Sequence, residues 1–94
     1  SLSNNGKEVK DQLGIEMPDL IISDIMMPYF SGLELIDYVR NELKSKTPII
    51  IISSAGNEEN VLNAFDLGAN DFISKPVSPA ELIVRVEREL AKNQ

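Results

Sequence analysis

The chain alternates short apolar runs with helical patterns from Pro18 onward, which predicts an α/β fold: an open parallel sheet with helices on both faces. Three observations carry that reading. Leu20-Ile21-Ile22 and Ile49-Ile50-Ile51-Ile52 are unbroken apolar runs rich in β-branched residues, preceded by Pro18 and Pro48, as strands buried on both faces are. Phe72-Ile73 is a third, shorter run that ends at Lys75-Pro76. A helical pattern follows each run, so the order is strand, helix, strand, helix, strand, helix, joined by right-handed crossovers.

Each helix has its own start signal. Ser31-Gly32-Leu33-Glu34 is a capping box, and Leu35, Ile36, Val39 and Leu43 follow at helical spacing. Asn57 is the expected N-cap of the next helix, with Glu58 and Glu59 in the first turn where the macrodipole favours them. That helix presents Val61, Ala64 and Phe65, and Gly68 ends it. Ser78-Pro79-Ala80-Glu81 starts the last helix, whose stripe is Leu82, Val86 and Leu90. Upstream, Asn4-Asn5-Gly6 reads as a turn, and Lys7 to Leu13 as a short helix with Val9 and Leu13 as its apolar face.

Ninety-four residues, 43% hydrophobic and 26% charged, suit one small domain, so residues 1–94 are read as a single unit. The chain has no Cys, which removes disulfides, thiolate metal sites and cysteine nucleophiles. It has no His, the commonest general base and transition-metal ligand. Any metal would be a hard cation held by oxygen. A net charge of −6 argues against a surface that grips nucleic-acid phosphates. The first 15 residues lack the basic start and apolar core of a signal peptide, and no apolar run is long enough to span a membrane. A cytoplasmic protein is the expectation.

In open α/β sheets, ligands bind beyond the carboxyl ends of the strands. The first strand runs out into Ser23-Asp24, the second into Ser53-Ser54 and the third into Ser74-Lys75. A carboxylate, a hydroxyl and an ammonium would therefore gather at one edge. That set suits phosphoryl transfer to a side chain, with Asp24 as nucleophile and Ser and Lys neutralising the phosphoryl oxygens. Taken singly, each has an ordinary role as a turn or strand-end residue. Their coincidence at three successive strand ends is what points to a site.

The segment Pro18-Asp19-Leu20-Ile21-Ile22-Ser23-Asp24-Ile25-Met26-Met27-Pro28-Tyr29-Phe30-Ser31-Gly32 closely resembles the phosphoacceptor region of CheY-like receiver domains of response regulators, a flavodoxin-like fold. The likeness continues through Pro48–Ala55 and Gly68–Pro76 and covers Gly6 to Leu90. It implies a phosphoacceptor module of two-component or phosphorelay signalling. Asp24 matches the acceptor that takes phosphate from a partner histidine kinase or phosphotransfer protein. Ser53 matches the hydroxyl residue, because its distance to Lys75 (75 − 53 = 22) fits the family, and Ser54 then leaves room for phosphoryl oxygens. Lys75 matches the family's lysine, and Lys75-Pro76 a bond that is commonly cis there. Met26 matches the position whose backbone carbonyl joins Asp24 in ligating Mg2+, and Phe72 matches the switch aromatic. Such a module is no enzyme beyond self-phosphotransfer and autodephosphorylation. It passes its signal to an output domain or target protein.

The family's first strand ends in an acidic pair that completes the magnesium site, and this sequence offers no match for that strand or for the helix after it. The missing unit would be roughly 25–30 residues, judged from the size of a βαβ unit. Two expectations follow: Mg2+ binding and phosphorylation of this chain are weak, and an uncovered strand edge favours a homodimer. Leu62, Ile83 and Val84 are apolar positions expected on a partner surface. The rival reading is a phosphorylation-incompetent pseudo-receiver that serves as a dimerisation or docking module. A haloacid-dehalogenase-like phosphatase would need a second Asp where Met26 stands, and no P-loop pattern is present.

Overall fold

Continuous β-branched runs form strands here because both of their faces can be covered. A computed structural model describes residues 18–25 and 31–92. The strands are β1 (Ile21–Asp24), β2 (Ile49–Ser53) and β3 (Asp71–Ser74). They are parallel and ordered β1-β2-β3, with Ser23 opposite Ile51 and Ile51 opposite Phe72. The helices are α1 (Gly32–Asp37), α2 (Glu58–Leu67) and α3 (Pro79–Ala91). The expected turn at residues 4–6, the helix at 7–13, and Met26, Met27, Tyr29 and Phe30 lie outside the described residues.

Side chains alternate across the sheet. Ile21, Ile25, Ile49 and Ile51 share one face and pack with Leu35, Ile36 and Val39 from the α1 region and Val61 and Ala64 of α2. On the opposite face Ile50, Ile73 and Asp71 are also buried, and α3 is tied there through Asp71. Helices on both faces are thus observed.

Ser31 caps α1 as expected: its Oγ accepts the Glu34 N–H at 3.2 Å. The helix does not run on regularly to Leu43. It widens into a π turn over Tyr38–Glu42, closed by the Leu43 N–H on the Tyr38 carbonyl at 2.9 Å. Arg40 lies within this turn and fills its donor capacity on four acceptors. It reaches the carbonyls of Ser45 (3.0 Å) and Thr47 (2.8 Å), the Gly68 carbonyl (3.1 and 2.9 Å) and Asn70 Oδ1 (2.9 Å). Asn70 Oδ1 also accepts the Ile49 N–H, so one side-chain cluster fixes where β2 and β3 begin. Gly68 closes α2 at φ +120°, and a Cβ there would meet Arg40 Nε at 2.9 Å.

Three local expectations are corrected. Asn57 precedes α2 but makes no capping bond, because its backbone (φ −108°, ψ 25°) is not extended and its amide donates to the Ser54 carbonyl instead. Phe65 faces outward beside Phe72 rather than joining the core. On α3, Leu82 and Val86 are only half-buried and Leu90 is exposed, while the buried residue is Glu89, paired with Lys92 at 3.1 Å. The helix turns Arg85 and Arg88 toward Asp71, and at helical spacing that rotation carries residue 89 inward and residue 90 out.

Candidate functional site

The strand ends build the site. Asp24 closes β1, Ser53 closes β2, and Lys75 directly follows β3. Backbone bonds lock these ends together: the Ile25 N–H on the Ile52 carbonyl at 3.0 Å, and the Lys75 N–H on the Ser53 carbonyl at 2.8 Å. Lys75 then reaches across to Asp24, its Nζ donating to Oδ2 at 2.5 Å. The carboxylate and ammonium are both partly open to solvent.

Ser53 sits between them in the sheet order and is buried, with its Oγ donating to the Ser54 carbonyl at 3.2 Å. Ser54 is exposed, so the position beside the hydroxyl is open. Ser23 donates in the same manner to the Asp24 carbonyl at 3.0 Å. Lys75-Pro76 is cis, as the resemblance implies. Phe72 is 37% exposed and stands edge-on to Phe65, with centroids 6.1 Å apart at 87°. Asp24, Ser53 and Lys75 are therefore brought together, Phe72 lies outward on the neighbouring strand, and Met26 is outside the described residues.

The sequence reading missed two polar anchors. Asp71 is buried at the start of β3 and accepts from Arg85 Nη1 at 2.8 and 2.9 Å and from Arg88 Nη2 at 2.6 Å. Burial pushes its carboxyl up, but the Arg85 hydrogen bond, the Phe72 N–H, the Arg85 charge and the Arg88 hydrogen bond outweigh it and hold the pKa below the ordinary value. Arginines three apart on one helix face were the available signal. The Arg40 cluster had none, since three of its four acceptors are backbone carbonyls and the fourth, Asn70 Oδ1, lies 30 residues further along the chain. Burial lowers the Arg40 pKa from its usual value, though a guanidinium stays charged in any folded protein.

Among the described residues, no three His, Cys, Asp or Glu side chains gather where they could hold a metal ion. These residues do not by themselves fit magnesium. No described helix is long and apolar enough to cross a membrane.

Comparison with known proteins agrees with this geometry. Residues 2–87 match the family described as the response regulator receiver domain. The transcriptional regulatory protein CrdR of Helicobacter pylori is 36% identical over 84 residues, covering 89% of this chain and 39% of its own. The phosphate regulon transcriptional regulatory protein PhoB of Pseudomonas aeruginosa is 42% identical over 76 residues, covering 80% of this chain and 33% of its own. The chain thus spans between a third and two fifths of these relatives. Among solved structures, the receiver domain of the Francisella response regulator 1452 superposes with a TM-score of 0.87 at 31% identity, covering 100% of this chain and 77% of that one. The receiver domain of NtrX from Brucella abortus gives 0.82 at 31% identity, covering 90% and 72%. The chain belongs to the receiver-domain family of response regulators.

Proposed function

We propose that Asp24 accepts a phosphoryl group from a partner histidine kinase or phosphotransfer protein, in a cytoplasmic two-component or phosphorelay system. The observation that supports this most is the Lys75 ammonium on the Asp24 carboxylate, with the Ser53 hydroxyl on the strand between them. The Asp24 carboxylate oxygen attacks phosphorus, the bond from phosphorus to the donor's imidazole nitrogen breaks, and that nitrogen takes up a proton. An acyl phosphate results. Lys75 moves from the carboxylate to the new phosphoryl oxygens, and Ser53 Oγ turns from the Ser54 carbonyl to donate to one of them. Water reverses the modification by attack on phosphorus, which regenerates the carboxylate and releases inorganic phosphate. Phe72, already beside Phe65 and outside the core, is the aromatic whose position reports the change to an output domain or target. No step here runs through magnesium, because the described residues supply too few ligands. Were an acidic pair supplied beside it, Asp24 and the Met26 carbonyl would be this chain's share of such a site.

Intact mass after incubation with acetyl phosphate and magnesium tests the reading, on this chain and on the full-length protein as its gene encodes it. The expected result is a single-phosphate adduct on the full-length protein, lost in Asp24→Asn, and slower formation on the chain alone. No adduct on the full-length protein, or one that survives Asp24→Asn, would overturn it.

The second reading, a docking or dimerisation module without phosphorylation, draws on the exposure of Leu62, Ile83 and Val84. An acidic pair just upstream in the parent protein favours the first reading, and its absence favours the second.

A further inference from the structure

Gly32 is the first residue of α1 and is buried, and its backbone is not in a conformation that demands glycine. Space is what demands it. A Cβ at this position would lie 2.8 Å from the Asp24 carbonyl oxygen, 2.8 Å from Ile25 Cα and 3.1 Å from the Ile25 carbonyl oxygen. All three are backbone atoms, so no side-chain rotation relieves the contact. The Gly32 N–H, which at a helix start would otherwise lack an intrahelical acceptor, donates to the Ile25 carbonyl at 2.8 Å.

We propose that Gly32 is a positioning residue for Asp24: its missing side chain lets the first turn of α1 rest on the Asp24–Ile25 backbone, and that seat sets the carboxylate against Lys75 and Ser53. This rests on Asp24 being the phosphoryl acceptor. Neither partner in the contact is free to yield. Beyond the seat, α1 and the π turn are held by Leu35, Ile36 and Val39, each at most 1% exposed. On the other side β1 is held in register against β2, and Ile25 is itself buried. Ordinary contact begins near 3.4 Å, so a methyl group requires an opening of at least 3.4 − 2.8 = 0.6 Å, directly behind the acceptor. A displacement of that size is enough to slow a reaction that depends on aligned groups by about tenfold or more.

The test compares Gly32→Ala with Ile36→Val, a mild truncation on the same helix that leaves the seat intact. Phosphate uptake from acetyl phosphate is followed by intact mass on the full-length protein, and backbone amide spectra are recorded for this chain. Expected is uptake at least about tenfold slower in Gly32→Ala and near wild type in Ile36→Val, with the Asp24 and Ile25 amide resonances displaced only in the former. Equal rates in Gly32→Ala and wild type would overturn the proposal. Should the wild type take no phosphate, the acceptor reading fails separately. The resonances then decide: displaced in Gly32→Ala they support the seat, and unmoved they refute it. Should Gly32→Ala not fold, amide exchange in the wild type decides instead. Protection of the Gly32 amide equal to that of the Leu35 amide supports the seat, and exchange as fast as an open loop removes it.

Discussion

Lys75 and Asp24 are 51 residues apart in the chain, yet their ion pair contributes little to holding the fold together. Both groups are more than a third exposed, and such pairs contribute less than about 1 kcal/mol. The pair matters for where it puts a positive charge. Lys75→Met should therefore leave the thermal midpoint within a few degrees of wild type while slowing phosphate uptake at Asp24 by about a hundredfold. Calorimetry and intact mass on one preparation separate the two effects, and a large loss of stability with normal uptake would contradict the assignment. Ser53→Ala should behave similarly at smaller cost, about tenfold in uptake, because its present bond is only to the adjacent Ser54 carbonyl. Asp24, Lys75 and the pair Ser53-Ser54 were legible in the sequence because each stands where an apolar run stops, and the parallel topology converts three such stops into one edge, while the choice of Ser53 within the pair came from the family resemblance. Gly32 was legible as part of a capping box, but its seat on Asp24 was not. Nothing in a linear pattern reveals that a Cβ would strike a backbone seven or eight residues upstream.

At the scale of elements, start signals were read well where a side chain both caps and fixes the backbone. Ser31 and Ser78 accept the N–H three residues on, at 3.2 and 3.4 Å, and Ser78→Ala should cost about 1 kcal/mol in urea denaturation. Orientation was read less well. The apolar stripe Leu82-Val86-Leu90 suggested an ordinary hydrophobic face, but α3 docks through Arg85 and Arg88 on Asp71, a contact between residues 14 and 17 positions apart. That polar anchor has a pH signature. The Asp71 carboxyl titrates below its ordinary value of 3.8, so the native state favours its charged form. The stability it adds is complete above that value and is lost as pH falls through the lower, folded-state pKa. Asp71→Asn should cost about 2 kcal/mol at neutral pH, since hydrogen bonds to a charged acceptor are lost. Its stability should also fall less steeply than wild type below pH 3.8. Urea midpoints across that range check both, and parallel acid limbs would show that the anchor is not what titrates.

Across the whole molecule, an aliphatic core is packed between the sheet and the helices α1 and α2, yet seven large apolar side chains are at least 37% exposed among the described residues. Leu62 at 66%, Ile83 at 58% and Val84 at 61% stand out, and they occupy α2 and α3, the helices on either side of β3 in the chain. Scattered single apolar residues need no explanation, but several large ones at this exposure mark surface that gains from being covered. The net charge of −6 acts in the opposite sense, since copies of an acidic chain repel one another. The repulsion is long-range and screened by salt, whereas apolar burial is short-range and is not weakened by it. Self-association of this chain should therefore be weak in dilute buffer and strengthen as sodium chloride is raised toward physiological ionic strength and beyond. Sedimentation velocity over a range of concentrations measures it directly. Ile83→Ser combined with Val84→Ser should reduce the association without moving the Asp24 site, because neither residue touches Asp24, Ser53 or Lys75 in the bonds that build that edge. A chain that remains monomeric at high concentration in both buffers would show that these residues await a different protein.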